Sequence, residues 1–340
     1  MKSILRVGIA GYGVVGKRRR HFIDINEHLK TVAVCDRKFE QPGQFDDGVF
    51  YFSDYHHMIN KMELDILFVC LTNDVAPEVT ILGLENSLHV FCEKPPGRTV
   101  NDIQNVIAVE KQYPRLKLMY GFNHRYHHSV KETYKIIKEK ELGSVINMRG
   151  VYGKSKIISF ESDWRTKRSV AGGGILLDQG IHMLDLMRLF AGEFTQIHSF
   201  VRNDYWYHDV EDNAYAIMRT KDNIISMIHS SATQWRHKFQ LEITLQKGQL
   251  ILSGILSGSK SYGAEMLTIV YANESDSGDP KEVTTRYNND PSWQDEIAAF
   301  TQSIIYDKPI ESGSSHDALK TMELVYQIYY ADDEWNKKLI

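Results

Sequence analysis

Cysteine is scarce: Cys35, Cys70 and Cys92 are the only three in 340 residues, and all lie in the first third. An odd, sparse set in or beside apolar runs argues against a disulfide framework, and none of the three has metal-ligand spacing. They read as small buried hydrophobes of a reducing compartment. A surplus of charge is lacking too. Lys plus Arg is 40 and Asp plus Glu is 44, a net charge of -4. That balance gives no reason to expect nucleic acid or an anionic membrane as a partner. The uncharged apolar stretch Ile66 to Asn73 is too short to span a bilayer. The N-terminal MKSILRVGIAGYGVVG is not read as a signal peptide, because Arg6 interrupts the apolar region and no small-residue cleavage site follows. With no other address visible, the sequence is read as cytoplasmic. It contains no internal repeat and no low-complexity segment.

What is present is ordinary globular composition, 42 % hydrophobic and 25 % charged, in a chain long enough for two domains. Up to Asn123, strand-like and helix-like segments alternate. Ile4–Ala10, Thr31–Cys35, Ile66–Leu71, Val90–Cys92 and Leu116–Phe122 read as strands. Helices are expected from Val14 to about His28, from a Ser53 or Asp54 cap to Lys61, over Ala76–Asn86, and from a Thr99/Asp102 capping box to Lys111. Such alternation predicts a doubly wound parallel sheet. Beyond Asn123 the pattern is a helix Val130–Lys140, a strand Val145–Tyr152 and a helix from about Gly174. Strands Thr195–Arg202, Ala214–Thr220, Ile224–Ala232, Phe239–Leu245, Gln249–Leu252 and Met266–Tyr271 follow. Helices Trp293–Tyr306 and Asp317–Trp335 close the chain. The fold class is therefore α/β: an N-terminal doubly wound parallel-sheet domain, 1–123, and a C-terminal α+β domain, 124–340, with a mostly antiparallel sheet. The C-terminal helix is expected to pack back on the first domain. Asn273–Asp279 reads as a flexible loop.

Residues 11–16, GYGVVG, match G-x-G-x-x-G between a strand and a helix. Gly11 permits the tight turn, Gly13 lets a pyrophosphate approach the helix N-terminus, and Gly16 lets helix and strand pack closely. Asp36 lies at the end of the second strand, twenty positions past Gly16, where a carboxylate accepts hydrogen bonds from an adenosine ribose. It favours NAD because a carboxylate repels a 2′-phosphate. Arg37 and Lys38 can accommodate that phosphate and keep NADP as the alternative. The run Lys17-Arg18-Arg19-Arg20 reads as a solvated helix face.

Residues 172–185 read GGGILLDQGIHMLD. On an α-helix Asp178 and His182 are i and i+4 and share a face, with Asp185 near it one turn later. A carboxylate that orients an imidazole suits a general base. A buried Asp–His pair with a purely structural role fits these residues equally well. No third ligand has convincing zinc spacing, and Arg125 argues against a cation among His124, His127 and His128.

Residues 89–98, HVFCEKPPGR, end an apolar run on Glu93-Lys94 and then stiffen the backbone with two prolines. Together with GYGVVG, FVCLTND and GGGILLDQGIHMLD, this segment resembles the Gfo/Idh/MocA oxidoreductases over nearly the whole chain. The resemblance implies that Lys94 lies beside the nicotinamide and the reacting oxygen, positioned by Glu93 and Pro95, and a cis Lys94–Pro95 bond is expected. It implies that Asp178 and His182 are acid/base residues contacting substrate. For cofactor contacts it implies Tyr12, Val14 and Val15 within the glycine turn, Cys70, Leu71, Thr72 and Asn73 in the loop after the third strand, and Asn123. The pair Trp164-Arg165 resembles one that contacts cofactor in some relatives. His127-His128 depart from a common proline at that place.

The activity implied is hydride transfer between a nicotinamide cofactor and a hydroxyl- or ketone-bearing carbon of a sugar, polyol or nucleotide-linked sugar. Trp164, Arg165, Lys167, Arg168, Arg125, Tyr126, Trp235 and Arg236 supply aromatic faces and cations for such a ring. A homodimer or homotetramer is expected, since the open sheet often mediates oligomerisation in this family. Two alternatives remain: a dinucleotide-binding regulator without chemistry, and glycoside cleavage assisted by tightly bound NAD.

Overall fold

The computed structural model describes residues 4–156, 164–257, 261–273 and 278–339. The chain divides into two compact units, Met1–Asn123 with Trp293–Lys320, and His124–Ser292 with Thr321–Ile340. Four residues of the expected loop Asn273–Asp279, 274–277, lie outside the described residues.

The first unit contains β1 (Leu5–Ala10), α1 (Val14–Asp24), β2 (Leu29–Cys35), β3 (Gly43–Gln44), β4 (Phe50–Phe52), α2 (Tyr55–Lys61), β5 (Ile66–Val69), α3 (Ala76–Glu85), β6 (His89–Glu93), α4 (Val100–Glu110) and β7 (Leu118–Gly121). The sheet order is β3-β4-β2-β1-β5-β6-β7. All its pairings are parallel except the β3–β4 hairpin. The four residues of β5 are fully buried, as expected of a strand covered on both faces. Local chemistry sets the helix ends. Asp54 caps α2 by accepting from His57 N at 2.8 Å. Thr99 and Asp102 form the reciprocal box that starts α4. Helix α1 stops at Asp24 rather than near His28, because Asp24 and Asn26 side chains accept from Thr31 N and His28 N, each at 3.0 Å.

The run Lys17–Arg20 is not a uniformly solvated face. Arg19 is fully buried, and Arg20 is half-buried and ion-paired to Asp24 and Asp47. Sequence neighbours on a helix point about 100° apart, so a charge run always sends some members inward.

The second unit is built on β8 (Val145–Gly153), β9 (Phe194–Arg202), β10 (Asn213–Thr220), β11 (Ile225–Ser231), β12 (Lys238–Leu245), β13 (Gly248–Ser253), β14 (Glu265–Tyr271) and β15 (Glu282–Tyr287). The order is β15-β14-β13-β12-β8-β11-β10-β9. Only β8–β11 is parallel. Helix Ile181–Ala191 contacts β8 and β11 on one face. The other face carries exposed Phe200, Tyr215, Ile217, Ile225 and Met227. The expected Asp317–Trp335 helix is two pieces, Ser315–Tyr330 and Asp333–Asn336. The break is made by Asp332, whose carboxylate accepts from Glu334 N and Trp335 N and, on its other oxygen, from Val201 N at 2.7 Å.

Candidate active site

In the first unit the glycine turn leaves space at the N-terminus of α1. Gly11 has φ +94°, a conformation that disfavours any side chain. At Gly16 a Cβ would lie 1.9 Å from the Gly11 carbonyl oxygen, so only glycine lets α1 approach the turn. A Cβ at Gly13 would meet nothing within 4 Å, and the first turn of α1 has no side-chain cap and no acidic residue. Orphan N–H groups facing open space suit a pyrophosphate. Tyr12, Val14 and Val15 complete this turn, with Val14 58 % exposed.

Asp36 follows β2 and accepts from Lys38 N at 3.0 Å. It borders a cavity of about 520 Å³ whose walls include Tyr12, Arg20, Phe39, Phe45 and Asp47. Arg20 is engaged there by Asp47 and by the Tyr12 hydroxyl at 2.8 Å. Arg37 is exposed. After β5, Cys70 N donates to Ala10 O at 2.7 Å and the Thr72 carbonyl accepts from Val75 N and Ala76 N. Leu71 and Thr72 are half-buried and Asn73 buried. Burial pushes the Cys35 and Cys92 thiols up to about 12 and the Cys70 thiol well above its usual value, so none is a thiolate at neutral pH. Lys94 is half-buried just beyond β6, its bond to Pro95 is cis as expected, and Glu93 pairs with Arg19 at 2.5 Å. Asn123 is half-buried at the end of this unit.

In the second unit Leu176–Gly180 is a turn of π-helix leading into helix Ile181–Ala191. The wider turn changes the angular phase between Asp178 and His182 from that of an α-helix, so the i, i+4 face cannot be taken from spacing alone. The Asp178 carboxylate is held by two cations, Lys154 Nζ on Oδ2 and Arg165 Nε on Oδ1, each at 3.4 Å. Lys154 is buried, and the Arg165 guanidinium lies 4.2 Å from the Trp164 ring centroid. His182 is 5 % exposed and stacks on His124, with centroids 3.7 Å apart and planes 11° apart. His124 Nε2 lies 3.1 Å from the Tyr152 hydroxyl, and Tyr262 donates to Gln179 Oε1 at 2.7 Å. Burial, then the Tyr262 and Asp178 charges, raise the Tyr152 phenol well above its usual value.

Asp185 and Arg125 go elsewhere. They form a buried bidentate pair, Nε–Oδ2 2.7 Å and Nη2–Oδ1 2.6 Å, that fixes the histidine-bearing helix. Arg168 donates to the Asp209 and Lys338 carbonyls. His127 pairs with Glu265 at 2.8 Å and His128 stacks on Tyr287. Among the described residues no group of three or more His, Cys, Asp or Glu side chains could hold a metal, and no helix is long and apolar enough to cross a membrane.

Sequence reasoning missed Lys154, the His124 stack and Glu211. Glu211 is fully buried and accepts from Gly174 N at 2.7 Å, Leu176 N at 2.9 Å and the Tyr329 hydroxyl at 2.7 Å, capping the turn that presents Asp178. Nothing in its local sequence marks it. Glu211→Ala is expected to cost about 1–3 kcal/mol for each orphaned donor, read as a lowered Tm. Burial raises the Glu211 carboxyl, against the hydrogen bonds that lower it. A raised folded-state value means that its contribution is fully present below the unfolded carboxylate range and is lost as pH rises through the folded value. Denaturant titrations should show that loss in the native protein and not in Glu211→Gln.

Two family descriptions match. "Oxidoreductase family, NAD-binding Rossmann fold" covers residues 5–122, and "GFO/IDH/MocA C-terminal domain" covers 130–251. They define the class first: an oxidoreductase whose N-terminal unit binds a nicotinamide dinucleotide. The chain belongs to the Gfo/Idh/MocA oxidoreductase family. It is 24 % identical over 272 residues to inositol 2-dehydrogenase of Salmonella typhimurium, 78 % of each chain. It is 28 % identical over 213 residues to D-glucoside 3-dehydrogenase of Escherichia coli, 58 % of each. The aldose-aldose oxidoreductase of Caulobacter crescentus shares the fold at TM-score 0.82 and 22 % identity, over 98 % of each chain.

Proposed function

We propose that the chain is an NAD-dependent dehydrogenase of a sugar or polyol, acting on a secondary hydroxyl. The observation that carries this reading is a buried histidine, His182, one turn from a carboxylate, Asp178, that two cations hold in place. It occurs in a family whose related members are named for inositol and glucoside oxidation. The GYGVVG turn with Asp36 would hold the dinucleotide, with Cys70–Asn73, Asn123 and the Trp164-Arg165 pair as further contacts. The nicotinamide, when bound, supplies the hydride acceptor or donor. His182 takes the hydroxyl proton at a ring nitrogen or returns it. Lys94, as ammonium, hydrogen-bonds the same oxygen and stabilises developing alkoxide charge. Asp178 steadies the base.

NAD is favoured over NADP because Asp36 repels a 2′-phosphate and the nearby Arg20 is already neutralised by Asp47. Asp36→Ser should narrow the gap between the two affinities, measured by fluorescence titration of each cofactor. Equal affinities in the unmodified protein would go against the assignment. The exposed apolar face of Phe200, Tyr215 and Ile217 supports a homo-oligomer, and Ile217→Lys with Phe200→Asp should lower the mass seen by ultracentrifugation. The function is tested by screening inositols, aldoses, glycosides and nucleotide sugars for NADH absorbance. One class should reduce NAD. Bound NAD with no turnover on any would favour a regulator, and glycoside cleavage without net NADH would favour the redox-assisted hydrolase.

A further inference from the structure

Arg19 is a fully buried cation on α1, one turn after the glycine cradle. Its Nε lies 2.5 Å from Glu93 Oε1 and its Nη1 lies 2.7 Å from Glu296 Oε2. The rings of Phe91 and Trp293 pack on its guanidinium, with centroids 4.4 and 4.2 Å away. Strand β7 leaves room for it. A Cβ at Gly121 would stand 3.0 Å from Arg19 Nη2 and 3.1 Å from Glu93 Oε2. Nothing about stability requires this arrangement, since a buried ion pair is often no better than apolar packing of the same volume. What the buried fork provides is direction. A planar guanidinium with two carboxylates on it and two rings against it has little freedom to turn.

Glu93 is the last residue of β6 and Lys94 follows it. Neighbouring residues of an extended chain point to opposite faces, so pinning the Glu93 carboxylate fixes the rotation of the strand end from which Lys94 departs. The pair also gives Glu93 a partner other than the lysine beside it. We propose that Arg19 is a positioning residue for Lys94, acting through Glu93, so that the helix carrying the dinucleotide cradle also sets the direction of the amine. This rests on the role assigned to Lys94 above.

Reductive methylation with ¹³C-formaldehyde places an NMR probe on each lysine, and the Lys94 signal is identified by its loss in Lys94→Met. In Arg19→Met and Glu93→Gln that signal should shift or broaden, and turnover at saturating NAD should fall about ten- to hundredfold, with NAD affinity retained. Glu296→Gln, which leaves the Arg19–Glu93 pair in place, should lower Tm and disturb the signal and turnover less than Glu93→Gln does. A folded Arg19→Met with a native Lys94 signal overturns the proposal. If Arg19→Met does not fold, a native Lys94 signal in Glu93→Gln overturns it. Lys94→Met that still turns over would remove the catalytic role of Lys94, while the NMR comparison would still decide whether Arg19 positions it.

Discussion

His182→Ala should lose about a hundred- to ten-thousand-fold in kcat for alcohol oxidation, the usual worth of a general base. NAD affinity should be little changed. The deficit should shrink at high pH, where hydroxide in solution substitutes for the missing imidazole. Lys94→Ala should also lose rate, but without that recovery, because its charge rather than its basicity stabilises the alkoxide. Asp178→Asn should fall between the native enzyme and His182→Ala in rate. It should also be less stable, since Lys154 is buried and would lose the carboxylate that compensates it. The pH profiles of kcat for the three variants decide the roles. Near-normal turnover in His182→Ala beside a dead Lys94→Ala would make Lys94 itself the acid/base.

Gly16→Val should leave a folded protein that binds NAD poorly. A Cβ at this position meets the Gly11 carbonyl oxygen at 1.9 Å, and backbone cannot rotate away as a side chain can. The strain of overpacking, about 1–3 kcal/mol, would be taken up by the turn proposed to face the pyrophosphate. If it falls wholly on binding, affinity drops by about ten- to a hundredfold. Fluorescence titration with NADH measures the loss, and circular dichroism checks that the fold survives. Native affinity in a folded Gly16→Val would mean that the turn does not hold the dinucleotide.

The first unit was readable because its signals are local: buried β5, the cap at Asp54, the box at Thr99, and glycines whose spacing is set by a strand-to-helix turn. Its short hairpin β3–β4 has too few residues to show a period. Strand β15 was missed because five of its six residues are exposed, which erases the alternation that betrays a strand. The partners in the candidate site were the least legible. Arg19 meets Glu93 across 74 residues of sequence and looks like any cation in a basic run. Glu211 sits between other acids, Asp209 and Asp212, and only the fold sends it inward to cap the turn before Asp178. Asp178 and His182 were found from their spacing, but the π-turn between them shows that spacing did not fix their geometry. A buried charge is defined by its distant partners, and a single sequence does not pair them.

Isotope transfer tests the central claim most directly. A substrate found in the screen would be prepared with deuterium on the carbon bearing the reacting hydroxyl and incubated with the enzyme and NAD. Mass spectrometry should find the deuterium on the reduced nicotinamide, the product should be the matching ketone, and both should vanish in His182→Ala with Lys94→Ala. Deuterium recovered in water, or a product formed with no labelled NADH, would contradict direct hydride transfer by this chain.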